Sequence, residues 1–156
     1  MSAIEKITVS EDVALITFRN SPADMKFVSH VFDIIAAKGI NVDMISQTAP
    51  NSARINLSFT ISEDDLGALM ELFAVLRVEY PEIKYDIVGG NCKISLYGES
   101  MSFTPGVAAE VFDTIALLGT DVRIISTSEI DISILIPKAD FIGAHEAFER
   151  KFSIRI

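Results

Sequence analysis

The sequence predicts an α+β fold in which one small arrangement of strands and helices occurs twice. The first observation behind this prediction is an internal repeat: residues 31–47 align with residues 111–127 at an offset of 80, with nine of 17 positions identical. The second is the apolar pattern, which changes between helical spacing and a period of two in the same order in both halves. A period near 80 is typical of a duplicated small domain and is too long for a solenoid unit.

Local signals define the elements of the first half. Apolar residues at helical spacing over residues 28–36 end at Gly39, where a helix commonly takes a glycine cap. Strict alternation over residues 55–61 is typical of a half-buried strand, and Ser62 with Asp65 resembles an N-cap pair for a second helix. The predicted order is a strand at 13–18, a helix ending at 39, strands at 40–45 and 55–61, a helix from 62 to 80, a strand at 83–88 and a turn at Gly89–Gly90.

The second half copies this order. Thr104 and Pro105 form a strong signal for the N-cap and first turn of a helix that ends at Gly119. The remaining elements are strands at 94–97, 122–126 and 130–136 and a last helix through Phe141, His145 and Phe148. The order strand–helix–strand–strand–helix–strand is the ferredoxin-like βαββαβ arrangement. We therefore expect two such modules in tandem, each an antiparallel sheet with its helices on one face.

One strand of the second module is missing from this count. Residues 4–10 and residues 152–156 are the two strand-like segments that remain. We predict that the N-terminal segment pairs into the sheet of the second module, with the C-terminal segment as the alternative. The predicted boundaries are 13–91 for the first module and 92–156 for the second, whose sheet residues 1–12 complete.

Composition excludes several classes of function. The chain has 156 residues, 22 acidic and 13 basic side chains and a net charge of −9, which disfavours binding to nucleic acid or to anionic membranes. No apolar run approaches the roughly 20 residues that span a bilayer, and residues 1–12 lack the apolar core of a signal peptide. We expect a cytoplasmic protein. A single cysteine, Cys92, and two distant histidines, His30 and His145, give no metal site and no cofactor.

Several segments carry a resemblance to a known family. In the second repeat they are residues 98–101, 105–109 and 126–130, and in the first repeat residues 41–47, 57–60 and 64–66. With these segments the chain closely resembles, over almost its whole length, the regulatory region of aspartate kinases. The modules of that region are ACT domains, small domains that sense amino acids. In that family the segment before the first module adds a strand to the second, in agreement with the expectation for residues 4–10.

The resemblance implies a regulatory function. We expect the chain to bind an amino-acid effector, lysine or threonine being the usual ones in the family, for feedback control of aspartate-family amino-acid biosynthesis. The kinase catalytic domain is not in the sequence, so we expect no enzyme activity. The chain resembles a separate regulatory subunit, a free-standing tandem protein or a fragment of a longer one, with a separate kinase catalytic subunit as a partner. An assembly partner that has lost ligand binding is the alternative, and a small enzyme ranks last.

Physical chemistry places the effector at the start of the first helix of a module, where unpaired N–H groups attract a carboxylate. Asp43 is matched by Arg123 in the second repeat, so a cationic ligand favours the first repeat. Lys26 stands where the second repeat has Gly106, and it either attracts the carboxylate or fills the pocket. The predicted effector site in the first repeat comprises Asp24, Met25, Lys26, Phe27, Asn41, Val42, Asp43 and Gln47. The possible second site comprises Thr104, Pro105, Gly106, Val107, Ser126 and Thr127.

We also expect a homodimer through these modules. The sequence is apolar for its length, with 49% hydrophobic residues, and each repeat of about 75 residues buries a limited share of its surface. A split sheet also leaves an edge strand with unpaired backbone groups. A two-fold dimer covers the same edge in both copies. The alternative is a monomer in which the two repeats cover each other.

Overall fold

The computed structural model of the chain describes residues 2–154. The strands are β1 (Lys6–Pro22), β2 (Ile45–Gln47), β3 (Arg54–Ser62), β4 (Lys84–Tyr97), β5 (Ile124–Thr127) and β6 (Asp131–Pro137). The helices are α1 (Met25–Ala37), α2 (Leu66–Glu79), α3 (Val107–Leu117) and α4 (Phe141–Phe152). None of the helices in the described part of the chain has the length and apolar content needed to cross a membrane.

These elements form two compact units. The first unit is Val13–Gly89, and the second unit joins the residues up to Asp12 with those from Gly90 onward. The strand order is β2-β3-β1-β4 in the first unit and β1-β4-β6-β5 in the second. The pairs β1 with β3, β2 with β3, β4 with β6 and β5 with β6 are antiparallel. The predicted α+β class with two ferredoxin-like modules is confirmed.

The core of the first unit explains why its helices cover one face of the sheet. Alternate residues of β1, Ala14, Ile16 and Phe18, are fully buried in one cluster with residues of β3, α1 and α2. The Phe18 ring makes edge contacts with Phe59 and Phe73, with ring centroids 5.5 Å and 5.7 Å apart. Because side chains alternate across a strand, this set of contacts fixes which face the helices cover.

The second unit has the same construction with fewer aromatic residues. Its core contains Ile94 and Leu96 from β4, three isoleucines from β6, and apolar residues of α3 and α4. Ile4 is buried in this core at 2% exposure, and the Glu5 N–H donates to the Tyr97 carbonyl at 2.8 Å. The N-terminal segment therefore packs into the second unit and leads directly into β1.

Both repeated glycines end their helices as the sequence predicts. Gly39 follows α1 with φ of 71°, and Gly119 follows α3 with φ of 64°. The Gly39 N–H donates to the Ala36 carbonyl at 2.9 Å, and the Gly119 N–H donates to the Ala116 carbonyl at 3.1 Å. Glycine adopts this left-handed conformation at little cost in free energy because it has no Cβ. The helix-ending part of the sequence prediction is confirmed.

Other local predictions are wrong. The turn at Gly89–Gly90 does not form, because β4 runs through both residues, and Gly90 adopts φ of 70° within the strand. The helix predicted to begin at Thr104 begins at Val107, because Gly106 has a left-handed φ of 93° and is the N-cap. Only Ile45 of the predicted strand at 40–45 is in a strand.

The C-terminal strand predicted as an alternative also differs from the structure. Phe152 is the last residue of α4, and Ser153 follows with a left-handed φ of 55°. A left-handed residue ends the helical path, and the Ile154 N–H turns back to the Glu149 carbonyl at 3.1 Å. Residues 155 and 156 of that prediction lie outside the described residues.

Candidate functional site

A cavity of about 600 Å³ lies in the second unit between the start of α3 and the turn that joins β5 to β6. This volume falls within the range of small-molecule sites. Four of the residues predicted for the second-module site line it: Thr104, Gly106, Val107 and Thr127. The sequence did not single out its other lining residues as site residues: Met101, Ser102, Phe103, Ala108, Ser128, Glu129 and Ile132.

The start of α3 supplies hydrogen-bond donors to this cavity. Gly106 is the N-cap in a left-handed conformation, with φ of 93°, and no side chain caps the helix. Backbone N–H groups in the first turn of a helix have no partner within the helix. Those of Val107 and Ala108 therefore offer an anion site, which the helix dipole strengthens. Glycine suits this left-handed position because it has no Cβ, and apart from neighbouring backbone no heavy atom lies within 4 Å of where that Cβ would be.

The opposite wall of the cavity contains polar side chains. Thr127 ends β5 and is exposed, and Glu129 is the one acidic residue among the described residues that line the cavity. The Ser128 hydroxyl is used locally, since it accepts from the Ile130 N–H at 3.3 Å. Thr104 likewise donates its hydroxyl to the Ser100 carbonyl at 2.8 Å. Glu129 and Thr127 are therefore the groups able to meet a ligand's cationic or hydroxyl end.

Two residues predicted for this second-module site do not line the cavity. Ser126 is partly buried in β5, where it lies opposite Ser133 of β6. Pro105 faces a neighbouring depression lined also by Ser2, Ala3 and Lys151. Thr104 and Val107 line both cavities, so the two lie side by side.

The corresponding place in the first unit is much smaller. Asp24, Met25 and Gln47, all predicted site residues, come together there with Val28 and Pro50 around about 90 Å³. The connection between β2 and β3 spans residues 48–53, whereas residues 128–130 suffice between β5 and β6. The longer connection brings Pro50 against the start of α1 and leaves little room.

Three N–H groups at the start of α1 already have partners within the protein. The Asp24 carboxylate accepts from the Lys26 N–H at 2.9 Å as an N-cap. The Asp24 carbonyl accepts from the N–H groups of Phe27 at 3.0 Å and Val28 at 3.2 Å. Phe27 is itself a core residue whose ring packs edge-on against Tyr80. A ligand carboxylate at this helix would have to displace the Asp24 side chain.

Four further predicted residues of the first site lie away from this small cavity. Asn41 and Asp43 are exposed in the segment before β2, and the Asp43 N–H donates to the Thr60 carbonyl at 3.1 Å. Val42 packs against the core of the first unit. Lys26 is exposed on α1 and does not line the small cavity. Of the two places predicted as effector sites, the one in the second module therefore has much the larger cavity.

Comparison with known proteins shows which family the chain resembles. A model of the ACT domain family matches residues 25–71 and 94–152. The aspartokinase of Bacillus sp. (strain MGA3) is 33% identical over 154 residues, which cover 97% of this chain and 37% of the relative. The aspartokinase of Geobacillus stearothermophilus is 34% identical over 93% of this chain and 36% of its own length. The chain thus spans little more than a third of these curated relatives.

Solved structures match over the same length. The ligand-free regulatory subunit of aspartate kinase from Thermus thermophilus is 30% identical, with a TM-score of 0.82, over 96% of this chain and 99% of that one. The regulatory subunit from Thermus flavus is 28% identical, with a TM-score of 0.86, over 96% of this chain and 99% of that one. In the aspartate kinase from Synechocystis, the match is 25% identical with a TM-score of 0.90, over 98% of this chain and 27% of that one.

Proposed function

This chain belongs to the ACT domain family and matches regulatory subunits of aspartate kinase along its length, and on that premise we propose that it binds a free amino acid and regulates an aspartate kinase. The observation that carries the proposal is the cavity of about 600 Å³ at the uncapped start of α3. It combines backbone donors at one end with a carboxylate, Glu129, at the other. A zwitterion needs that pairing of groups.

We propose a position for the ligand from its two charged groups, the α-carboxylate and the ammonium group. Its α-carboxylate accepts hydrogen bonds from the N–H groups of Val107 and Ala108, which the helix dipole favours. Its ammonium group pairs with Glu129. The side chain then lies among Met101, Phe103 and Ile132, three apolar residues that line the same cavity.

Charge count favours threonine over lysine at this position. Glu129 is the one acidic side chain among the described residues of the lining. Lysine carries two ammonium groups and would leave one of them without a carboxylate, which costs desolvation energy. Threonine carries one ammonium group, and its hydroxyl group has the Thr127 hydroxyl as a partner. In the first module the small cavity has one acidic residue, Asp24, whose carboxylate already caps α1, and Asp43 lies away from it.

Calorimetric titration with threonine and with lysine tests the proposal. We expect threonine to bind and the Glu129→Gln variant to lose affinity by about tenfold or more, the cost of a charge-assisted hydrogen bond. Glu146→Gln is the matched control, since Glu146 is an exposed acid of α4 in the same unit. Absence of binding by any common amino acid would contradict the proposal and favour an assembly partner that has lost ligand binding.

The regulated activity resides in kinase sequence beyond these two modules. The chain spans 37% of the first Bacillus relative, and one solved match pairs aspartokinase alpha and beta subunits. We therefore propose a separate kinase catalytic subunit as the partner and expect no turnover of aspartate and ATP by this chain alone. A kinase assay on the purified chain checks this expectation. Measurable turnover would overturn it.

We also propose a homodimer built through edge strands. In the strand order, β2 is at the edge of the first unit and β5 at the edge of the second. Ile45 and Ile125, equivalent residues of these two strands, are 55% and 46% exposed. Unpaired backbone groups and apolar side chains at an edge favour pairing with another strand. Light scattering should give twice the 17.1 kDa chain mass, and a mass near 17.1 kDa at every concentration would contradict the dimer.

A further inference from the structure

A second cavity, of about 690 Å³, lies in the first unit and is made of different residues. It is bordered by the end of β1, the β2–β3 connection and the start of β4. Three cationic side chains line it, Arg19, Arg54 and Lys84, and none of the described residues in its lining is acidic. In a chain with a net charge of −9, three cations around one cavity are an unusual concentration of positive charge.

Two of the cations are held in place by carboxylates outside the lining. Arg19 makes two hydrogen bonds to the Asp86 carboxylate, one of them at 3.2 Å. Asp86 also raises the pKa of the Arg19 guanidinium through this pairing. Arg54 donates to Glu82 at 3.3 Å. A guanidinium has five N–H donors, so each arginine keeps donors for a ligand after these bonds are made.

The third cation has no such partner. Lys84 is exposed at the start of β4. Among the described residues, no hydrogen bond or ion pair involves its ammonium group. The three lining cations therefore exceed the two carboxylates that hold them, and the surplus charge belongs to Lys84.

The backbone around the cavity is arranged by a β-bulge. The register of β1 with β3 shifts between Phe18 and Ser21, so that Arg19 and Asn20 together lie opposite Asn56. Asn20 has a left-handed φ of 59°, and its N–H donates to the Asn56 side chain at 3.4 Å. Its carbonyl accepts from Arg54 at 3.4 Å. These contacts fix Arg54 and the two amide side chains around one space.

The hairpin turn on the other side is also specific. Asn51 and Arg54 exchange backbone hydrogen bonds of 2.9 Å and 3.0 Å around Ser52 and Ala53. Both central residues are left-handed, with φ of 51° and 60°, a conformation for which glycine or asparagine is the usual choice. Asn51 and Ser52 line the cavity and add polar side chains to it.

From this arrangement we propose that the cavity binds the phosphate group of a small metabolite, separately from the amino-acid site. Two planar guanidinium forks and one ammonium group are the donors that proteins use for phosphate dianions. Neutral amides and hydroxyl groups complete the donor set. The cavity is in the size range of small-ligand sites, and its residues belong entirely to the first unit.

Nuclear magnetic resonance with inorganic phosphate and pyrophosphate, at constant ionic strength, tests this site. We expect saturable shifts of the backbone amides of Asn20, Ser52 and Asn56. Pyrophosphate, with its greater charge, should bind more tightly than phosphate. Lys84→Gln should weaken binding of both by about tenfold, because it removes the ammonium donor without removing a bond within the protein.

Lys6→Gln is the matched control, because Lys6 is also an exposed lysine at the first residue of a strand but lies in the second unit. It should leave the affinity for pyrophosphate unchanged. An equal loss of pyrophosphate affinity in both lysine variants would show that binding depends only on the net charge of the protein, and it would contradict the proposed site. Chemical-shift changes that do not saturate, or that occur at residues outside the cavity, would also contradict the proposed site. Tighter binding of citrate than of pyrophosphate would overturn the assignment to phosphate.

Discussion

The carbonyl oxygen of Ala3 lies 1.7 Å from the position that a Cβ at Gly98 would occupy. No side chain fits there, so the N-terminal segment passes against the end of β4 at a distance that requires glycine. The Glu5 N–H bonds the carbonyl of Tyr97, the residue just before Gly98. The contact joins the first residues of the chain to a strand that follows about 90 residues later in the sequence.

Gly98→Ala should destabilise the second unit by about 1–3 kcal/mol, the usual cost of overpacking against backbone. Chemical denaturation measures the loss, and hydrogen exchange should show reduced protection of the Glu5 amide. Gly143→Ala is the control in the same unit. Gly143 is within α4 and has no heavy atom within 4 Å of its missing Cβ, so alanine should stabilise by about 0.5–1 kcal/mol.

Asp24→Ala should lower the free energy of unfolding by about 1 kcal/mol, because the Lys26 N–H loses its cap at the start of α1. Asp24→Asn should retain nearly all the stability, since asparagine caps as well as aspartate does. Urea denaturation of the two variants gives both numbers. If Asp24→Asn were as unstable as Asp24→Ala, charge rather than capping would explain the role of Asp24.

Tyr85→Phe should leave stability unchanged or raise it by up to about 1 kcal/mol near neutral pH. The Tyr85 hydroxyl is buried and has no hydrogen-bond partner among the described residues, while its ring packs against Phe18 and Phe73. Removing a buried polar group without a partner removes its desolvation cost. Denaturation of the two proteins at pH 7 gives the difference, and a large loss in the variant would contradict this account.

The same residue predicts a dependence on alkaline pH. Burial raises the pKa of the Tyr85 phenol above its ordinary value near 10, against a smaller opposite effect of Arg77. The unfolded chain therefore releases this proton first, and the contribution to stability is complete below pH 10 and is lost as the pH rises through the folded-state pKa. Unfolding measured between pH 8 and pH 11 should show a shallower decline in Tyr85→Phe than in the wild type.

Ala53→Gly should stabilise the first unit by about 1 kcal/mol, because Ala53 is held in the left-handed region with φ of 60°. Ala36→Gly serves as the comparison, since Ala36 is an exposed residue of α1 in the same unit and glycine there should cost about 1 kcal/mol. Thermal unfolding of the two variants should therefore shift in opposite directions. A lower melting temperature in both variants would show that Ala53 is not strained in this turn.

The repeat made the fold predictable, because its signals are local and occur twice in register. Gly39 and Gly119 mark the same helix end, and the alternation over residues 55–61 marks a strand whatever its partners. The continuity of β1 and β4 could not be predicted in this way. Gly90 predicts a turn by its residue type, but it lies inside β4 with a left-handed φ of 70°.

The candidate site was harder to predict because a cavity depends on what fills it. The sequence placed a candidate site at the start of the first helix of each module and ranked the two by the charges of Asp43 and Arg123. In the structure the β2–β3 connection brings Pro50 to the start of α1, where it lines a cavity of only about 90 Å³. The unequal connections, residues 48–53 against residues 128–130, were the available signal. Glu129 was within the family-like segment at residues 126–130 but was not singled out.

A crystal structure of the protein grown with threonine distinguishes the two candidate effector sites. We expect threonine in the second unit, with its carboxylate within hydrogen-bond distance of the Val107 and Ala108 N–H groups and its ammonium group on Glu129. Threonine bound instead at the start of α1, beside Asp24 and Pro50, would contradict the assignment of the effector site to the second module.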